Sequence, residues 1–444
     1  MPNSDFRPVA VDLFAGVGGL SLGFEQAGFD VLAAVEIDPI HCAAHKFNFP
    51  HCKVIPQSIT KLTGEKIREI SPIGKRKVDV VFGGAPCQGF SLIGQRQFDD
   101  PRNSLVKDFV RIVHELDAQT FVFENVKGLT VGKHKQFLVE LIEEFEKIGY
   151  NVQTPWRVLN AASFDVPQNR ERLILMGAKF PLPPPHYPEV RTSKPKDEYF
   201  DLPLHPTCKE ALEDLPDAEE FISLTDSDSV AVNGWKALSS YAAQMRCERS
   251  SAWHYGYKRK WNPNELTASL RTDHSEISRR RFRETPPGTV EPISRFYRLT
   301  PDGVSNTLRA GSDSARGAFT SPRPIHYKYN RCITVREMAR LHGFPDWFRF
   351  HETKWHGARQ IGNAVPPPLA RSVAEQIIRC LSIKPTKPKT KLALGSVELL
   401  RMDMSEASKY FDIEVPIGKR DRKSGAKKRK QLQIEIERLA QAEK

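Results

Sequence analysis

Cysteine is scarce in this sequence, and its spacing excludes two common classes of protein. The chain of 444 residues has seven cysteines, an odd number, and no two of them lie closer than ten positions. A disulfide-stapled scaffold and a Cys-X-X-Cys zinc or redox motif are therefore excluded. No run approaches the roughly 20 apolar residues of a membrane-spanning helix, and the first residues lack an apolar signal segment. These absences predict a cytoplasmic protein.

Histidine and lysine motifs are missing as well. His41, His45 and His51 lie near Cys42 and Cys52, but their spacing fits no zinc pattern, so we predict no metal site. We expect His41 and His45 to share one exposed helix face. The chain also lacks the Gly-Lys-Ser/Thr loop that cradles phosphates, which leaves ATP hydrolysis without support.

Charge is abundant but unevenly distributed. The net charge is +12, and residues 236–380 alone carry 25 basic and 12 acidic side chains, whereas 1–180 is balanced. A basic block suggests a polyanionic partner such as nucleic acid. A Pro-rich spacer follows residue 180 and a Pro/Lys-rich linker follows Cys380. We predict four segments: 1–180, 181–325, 326–380 and a basic extension, 381–444, part of it disordered.

The N-terminal block alternates short β-rich runs with helical apolar spacing. Strands are predicted at 9–14, 31–35, 78–82, 120–123 and 173–176, and helices at 18–28, 39–47, 104–116 and 134–148. This alternation predicts an α/β fold with a doubly wound sheet, whose ligands bind at the carboxyl ends of the strands.

A candidate nucleotide-type site lies at the first strand-to-helix turn. Gly16, Gly18 and Gly19 allow a sharp turn and close approach of a ligand to the helix N-terminus. Glu36 ends the next strand, where an acid can bind both ribose hydroxyls. These features alone do not separate a dinucleotide from S-adenosylmethionine, nor exclude a tight turn with an exposed acid.

Two later strand ends carry a thiol and a carboxyl group. Cys87 follows the strand predicted at 78–82, among glycines and small residues, where an exposed thiol can become a nucleophile, although most single cysteines are inert. Glu124 follows the next strand and is a candidate proton donor or a helix cap. Arg170 and Arg172 alternate along an extended segment and share a face that suits an anion or a carbonyl, or simply an exposed basic edge.

Five motifs together resemble the DNA (cytosine-5)-methyltransferases. They are, in the family's order, Asp12–Gly19, Gly84–Ser91, Glu124–Val126, Gln168–Arg172 and Arg359–Pro367. The resemblance covers roughly residues 9–380. It implies a doubly wound mixed sheet of the Rossmann-like, S-adenosylmethionine-dependent type, with a smaller target-recognition domain inserted at 181–325 and the catalytic domain completed by 326–380.

The resemblance also implies roles for individual residues. Cys87 would add to carbon 6 of a flipped-out cytosine, Glu124 would hydrogen-bond or protonate ring nitrogen 3, Arg172 would contact the cytosine carbonyl, and Arg170 would support Glu124 or a phosphate. The implied cofactor is S-adenosylmethionine. Its implied contacts are Phe14, Gly16, Gly18, Gly19, Glu36, Ser58, Ile59, Pro86, Leu105 and Asn363.

One position departs from the family pattern. Where the family usually has Asp-Ile after the third strand, this chain has Ser58 followed by Ile59. A serine accepts a hydrogen bond from the adenine amino group without charge assistance, so we expect weaker adenine recognition or a contribution from Gln57.

The basic middle block corresponds to the region that reads DNA sequence. Residues 258–261 and 279–283 interleave cations with aromatic residues, and segments 263–271 and 301–309 echo each other at an offset of 38. Both copies end in arginine. We predict structural roles for Arg336 and Arg340 on a helix capped by Thr334. The predicted DNA-binding residues are Gln88, Ser91, Arg271, Arg281, Thr307 and Arg309.

The sequence thus predicts a monomeric enzyme that methylates cytosine in a specific duplex sequence and protects host DNA from a cognate restriction endonuclease. Two alternatives remain: an RNA cytosine methyltransferase of similar core, and a sequence-specific DNA-binding protein that has lost catalysis.

Overall fold

An eight-stranded mixed sheet forms the centre of the molecule. The computed structural model describes residues 7–86, 103–132, 134–194, 201–311 and 322–415. The strand order is β3-β2-β1-β4-β5-β8-β6, and β7 also pairs with β8. The strands are β1 Val9–Leu13, β2 Asp30–Val35, β3 Lys53–Ile55, β4 Val80–Gly83, β5 Thr120–Val126, β6 Tyr150–Val152, β7 Arg157–Asn160 and β8 Glu171–Lys179.

Strand direction divides this sheet into two parts. Strands β1 to β5 pair in parallel, whereas β8 pairs antiparallel with β5, β6 and β7. The carboxyl ends of the parallel strands therefore meet at one edge, where ligands bind in this fold class. The predicted α/β fold with a doubly wound mixed sheet is confirmed.

Helices cover both faces of the sheet and bury two apolar clusters. Helix α11 returns from the far end of the chain to pack on α1, and a Cβ on Gly23 of α1 would collide with Ala370 of α11. The helices of this core are α1 Gly19–Ala27, α2 Pro39–Asn48, α3 Gly64–Ile70, α4 Ser104–Glu115, α5 His134–Lys147, α9 Val335–Leu341, α10 Lys354–Asn363 and α11 Pro367–Cys380.

The described residues of 181–194 and 201–311 form short elements. Their packing contributes to the larger apolar cluster, which also contains residues of α1 and α11. The next helix, α9, begins with a capping box formed by Thr334 and Glu337. The prediction that Thr334 caps this helix is confirmed. The short elements are α6 Cys208–Leu212, β9 Val230–Ala231, α7 Ser240–Met245, β10 Lys258–Lys260, β11 Glu265–Leu266 and α8 Glu276–Glu284.

The segment after Cys380 is folded as far as residue 415. Strand β12 (Lys391–Ala393) pairs in parallel with β10, and α12 (Met404–Tyr410) packs on α2. This part of the predicted extension packs against the rest of the protein, because Leu399 and Leu400 are buried. Residues 416–444 lie outside the described part of the chain.

The prediction of an exposed histidine face on α2 is wrong. His41 and His45 are both buried, because the extension covers one side of α2 and the glycine turn covers another: a Cβ on Gly18 would lie 3.1 Å from the His45 ring. Within the described ranges, no three His, Cys, Asp or Glu side chains form a group that could hold a metal ion. Nor do those ranges contain a helix of the length and apolarity needed to cross a bilayer.

Candidate active site

The turn between β1 and α1 has glycine at positions 16, 18 and 19, and each of the three has its own structural reason. Gly16 has φ +54° and open space where a side chain would be, whereas a Cβ on Gly18, at φ +101°, would lie 2.5 Å from the Phe49 ring. A Cβ on Gly19 would collide with the backbone carbonyl of Val365. The turn is therefore packed against the segment that follows the exposed Asn363, and its open side lies at Gly16.

The Glu36 carboxylate closes the other side of this turn. Its two oxygens accept hydrogen bonds from the backbone N–H groups of Gly16 (2.8 Å) and Asp38 (2.9 Å). A carboxylate has about four acceptor positions, so two remain for a ligand. Ile37, which sequence reasoning missed, follows Glu36 and is 61% exposed at the same strand end. The only signal for it was an apolar residue directly after the acid.

Other predicted cofactor contacts surround this strand edge. Phe14 is half-buried at φ +64°, a conformation uncommon for a residue with a side chain. The Ser58 hydroxyl caps the helical turn Ile59–Lys61 and bonds to the Thr60 hydroxyl at 2.8 Å. Ile59 is buried, Leu105 is half-buried in the first turn of α4, and Pro86 is exposed.

Glu124 and Arg172 form an ion pair at the carboxyl end of β5. The Arg172 Nε lies 2.8 Å from Glu124 Oε1, and the two side chains are 13% and 12% exposed. A Cβ on Gly84 would lie 2.5 Å from the other carboxylate oxygen, so only glycine lets the end of β4 lie this close. Burial raises the pKa of Glu124, and the nearby charges of Arg172 and Arg170 oppose that shift without cancelling it.

Asn125, whose role sequence reasoning missed, fixes the segment that leads to the predicted nucleophile. Its amide Nδ2 donates to the backbone carbonyl of Ala85 (3.0 Å), and its Oδ1 accepts from the N–H of Val126 (2.9 Å). These two hydrogen bonds of Asn125 keep the segment of Ala85 and Pro86 next to the end of β5, where Glu124 lies. Cys87, Gln88 and Ser91 lie outside the described residues.

Arg170 does not have the predicted environment. Its guanidinium is buried and donates to the backbone carbonyls of Leu308 (2.9 Å), Gly362 (2.7 Å) and Ala364 (2.9 Å). A guanidinium enclosed in this way is not available to a phosphate, and its effect on Glu124 is through charge rather than contact. Arg170 thus connects the start of β8 to two distant segments of the chain.

Several arginines of the basic block face protein rather than solvent. Arg259 is buried and makes two hydrogen bonds to Glu25, and Arg279 makes two to Glu219. The basic runs predicted to bind phosphates are, at these two positions, structural. As predicted, Arg336 and Arg340 are structural as well: both are buried, Arg340 between Asp214 and Asp346.

The remaining predicted DNA contacts differ in exposure. Arg309 is exposed, and the neighbouring Thr307 hydroxyl donates to the carbonyl of Asn169 (2.7 Å). Arg281 is 11% exposed with its Nε 3.5 Å from Glu291, and Arg271 is 18% exposed and pairs with Asp273. Of these four, Arg309 is the side chain most open to a duplex.

The sheet order, the glycine turn after β1 and the acid that ends β2 define a Rossmann-like fold with a nucleotide-type site at the carboxyl ends of its parallel strands. The family model for C-5 cytosine-specific DNA methylases matches residues 9–379, and the chain belongs to this family. It is 56% identical to the type II methyltransferase M.XorII of Xanthomonas oryzae pv. oryzae. That match extends over 407 residues, which are 92% of this chain and 93% of the relative. The type II methyltransferase M1.HphI of Haemophilus parahaemolyticus is 35% identical, covering 83% and 86% of the two chains.

Solved structures agree with this assignment. A crystal structure of an E. coli prophage protein assigned as a DNA modification methyltransferase has a TM-score of 0.67 and 32% identity, and covers 85% of this chain and 100% of its own. The S. pombe Dnmt2 methyltransferase, at 15% identity and a TM-score of 0.50, shares the fold. The chain is a cytosine-C5 DNA methyltransferase of the type II restriction–modification kind, and its family uses S-adenosylmethionine.

Proposed function

We propose that this chain methylates carbon 5 of a cytosine within a specific duplex DNA sequence, through a covalent bond between Cys87 Sγ and carbon 6 of that cytosine. The observation that carries the proposal is the Glu124–Arg172 pair, at 2.8 Å, beside the segment that ends at Pro86. Cys87 is the next residue in the sequence, which supports the proposal that its thiol acts together with this acid and this guanidinium.

The cofactor turn fits S-adenosylmethionine. Gly16 leaves open space, Glu36 keeps two free acceptor positions for ribose hydroxyls, and Ile37 offers an exposed apolar surface to an adenine ring. Asn363 and Phe14 lie on the segments that border this turn. When bound, S-adenosylmethionine supplies the electrophilic methyl group.

The protein's own groups make cytosine reactive. The Cys87 thiolate donates an electron pair to carbon 6 while Glu124 donates a proton to ring nitrogen 3, and the electron pair of the 5,6 double bond becomes available at carbon 5. Arg172 donates hydrogen bonds to the cytosine carbonyl. After methyl transfer, a base removes the proton at carbon 5 and the Cys87 thiolate leaves, which restores the 5,6 double bond, and ring nitrogen 3 returns its proton to Glu124. A raised pKa allows Glu124 to carry the required proton nearer to neutral pH.

The substrate base must leave the helix to reach these groups. Glu124 and Arg172 are only 12% and 13% exposed, and a base stacked in a duplex cannot enter so enclosed a site. Base flipping costs a few kcal/mol, which contacts such as the exposed Arg309 would offset. The type II relatives support the further proposal that a cognate restriction endonuclease recognises the same sequence.

Tritiated methyl transfer tests this function. With S-adenosylmethionine as donor, we expect label in unmethylated duplex DNA, none in tRNA and none without nucleic acid. Cys87→Ser should abolish transfer and retain duplex binding, whereas Cys380→Ser, at a half-buried thiol on α11, should leave transfer unchanged. Label in tRNA alone would favour an RNA substrate, and retained turnover of Cys87→Ser would show that the nucleophile is another residue.

A further inference from the structure

His342 lies at the end of α9 with no exposed surface and with both ring nitrogens engaged. Its Nδ1 is 2.9 Å from Gln168 Nε2, and its Nε2 is 3.0 Å from the carbonyl oxygen of Ala364. Gln168, which is equally buried, also accepts the backbone N–H of Leu308 at 3.1 Å. These contacts form a chain of three hydrogen bonds, which we call the His342 relay: Leu308 to Gln168, Gln168 to His342, and His342 to Ala364.

The direction of every hydrogen bond in the relay is determined. A backbone N–H can only donate, so the Gln168 atom facing Leu308 is the amide oxygen, and the atom facing His342 is the amide nitrogen. His342 Nδ1 must therefore accept, which makes the ring neutral with its proton on Nε2. That proton faces the Ala364 carbonyl, which can only accept. Burial and the nearby Arg170 charge lower the pKa of His342 and maintain this neutral form.

The two ends of the relay lie at different parts of the predicted active site. Ala364 follows Asn363, and its side chain would contact a Cβ placed on Gly19 of the cofactor turn. Leu308 lies between Thr307 and the exposed Arg309, which are predicted DNA contacts. The relay therefore joins the backbone of the recognition region to the backbone of the cofactor turn.

Arg170 reinforces the same connection. Its guanidinium donates to the carbonyls of both Leu308 and Ala364, so the Ala364 oxygen accepts from Arg170 and His342 together. A displacement of Leu308 must then either break these bonds or displace Ala364. Because an unsatisfied buried polar group costs free energy, the two segments move together.

We propose that His342 is a positioning residue that couples DNA binding at residues 307–309 to cofactor binding at residues 363–365. The proposal rests on the proposed function of these two segments. It gives His342 no contact with substrate, and its action is to fix the backbone on which the contacting residues lie.

Two substitutions each remove one half of the relay. His342→Asn keeps an acceptor near the Nδ1 position but loses the donor to Ala364, whereas His342→Gln keeps a donor near Nε2 but loses the acceptor for Gln168. The probes are S-adenosylhomocysteine and an unmethylated duplex of several kilobases, and the dissociation constant of each is measured alone and with the other at saturation. The ratio of the two values is the coupling factor, which must be the same from either side.

We expect a split between the variants. His342→Asn should weaken S-adenosylhomocysteine binding about tenfold, the effect of one lost buried hydrogen bond, with duplex binding within about twofold. His342→Gln should show the reverse. Both should bring the coupling factor closer to one than in the unaltered chain. The matched control is His351→Gln, at a buried histidine whose two nitrogens bond to Thr353 and Met402, and it should retain the full coupling factor.

The outcomes are distinguishable. If both His342 variants weaken both ligands equally, in proportion to a lowered melting temperature, His342 is merely structural and the proposal fails. If neither variant folds, Gln168→Leu must reproduce the pattern expected for His342→Gln, and a different pattern overturns the proposal. Absence of methyl transfer by the unaltered chain overturns the proposed function and the relay with it, whereas normal transfer with an unchanged coupling factor in the variants overturns the relay alone.

Discussion

Burial and ion pairing act in opposite directions on Glu124. The low-dielectric end of β5 raises its pKa, and the Arg172 guanidinium at 2.8 Å lowers it. The net shift is upward, so the site favours the protonated form of this carboxyl group more than water does. The Arg172 guanidinium also fixes the position of the Glu124 carboxyl group through their contact at 2.8 Å.

Glu124→Gln keeps the size of the side chain and removes its titratable proton. We expect the single-turnover rate of methyl transfer to fall about a hundred- to ten-thousandfold, the usual contribution of general acid catalysis. Duplex affinity, measured by gel shift, should change little. Glu171→Gln is the matched control, since Glu171 is exposed one position before Arg172 and pairs with Lys127. An unchanged rate in Glu124→Gln would show that this carboxyl takes no part in proton transfer.

Asp12 is a second buried acid, beneath the cofactor turn. Its Oδ2 accepts from the Ser21 hydroxyl at 2.6 Å, and Oδ1 is buried with no hydrogen-bond partner among the described residues. Burial raises the pKa of Asp12 well above its ordinary value. A raised pKa in the folded state means that the folded chain binds more protons than the unfolded chain. Stability from this group is therefore complete at low pH and is lost as pH rises from about 4 toward the raised value.

Asp12→Asn removes this linkage. Between pH 4.5 and 7, the free energy of unfolding of the unaltered chain contains a decrease from this one proton of up to about 1.4 kcal/mol per pH unit. The asparagine variant should lack that decrease and be relatively more stable at pH 7. Urea unfolding at both pH values measures it, with Asp302→Asn on an exposed loop as the control. An equal stability difference at both pH values would contradict the prediction.

At the scale of elements, the segment after Cys380 holds α2 in place. Leu400 has no exposed surface and contributes to the cluster that also contains Phe47 of α2, and the N–H of Gly395 donates to the Phe47 carbonyl at 2.9 Å. Helix α2 begins three residues after Glu36, so its position bears on the cofactor turn. The extension is thus part of the support of that site.

Leu400→Ala should destabilise the chain by about 2–5 kcal/mol, because it leaves a cavity at a fully buried leucine. Val397→Ala, at a side chain 44% exposed in the same turn, should stay within about 0.5 kcal/mol. Chemical unfolding compares the two. Equal effects would mean that the extension is not packed on α2.

Elements whose sequence carries a local pattern could be predicted. The glycines that cap α1 and the short apolar runs of β1 and β2 gave bounds within a residue or two of those observed. The positions of Glu36 and Glu124 at strand ends could be predicted as well, because each acid directly follows a predicted strand. Contacts between distant segments could not be predicted, because no local pattern encodes a partner. Arg259 and Glu25, for example, form their hydrogen bonds across 234 positions of the chain.

At the scale of the whole molecule, net charge is a poor guide to a DNA-binding face. Four arginines are buried and donate hydrogen bonds to carbonyls or acids of distant segments: Arg170, Arg259, Arg336 and Arg340. Part of the positive charge therefore forms internal contacts that stabilise the fold. The charge available to a duplex is smaller than the total of +12 suggests. Exposure, and not charge, separates the arginines that a duplex can reach from those that stabilise the fold.

Arg309 and Arg279 make this distinction measurable. Duplex binding is salt-dependent because each phosphate contact releases counterions, and one contact changes the slope of log affinity against log salt by about 0.9. Arg309→Ala, at an exposed side chain beside Thr307, should lower duplex affinity and reduce the slope by about that amount. Arg279→Ala breaks a pair with Glu219 and should leave the slope unchanged while lowering the melting temperature. Gel shifts at several salt concentrations decide between them, and equal slopes for Arg309→Ala and the unaltered chain would place the phosphate contacts elsewhere.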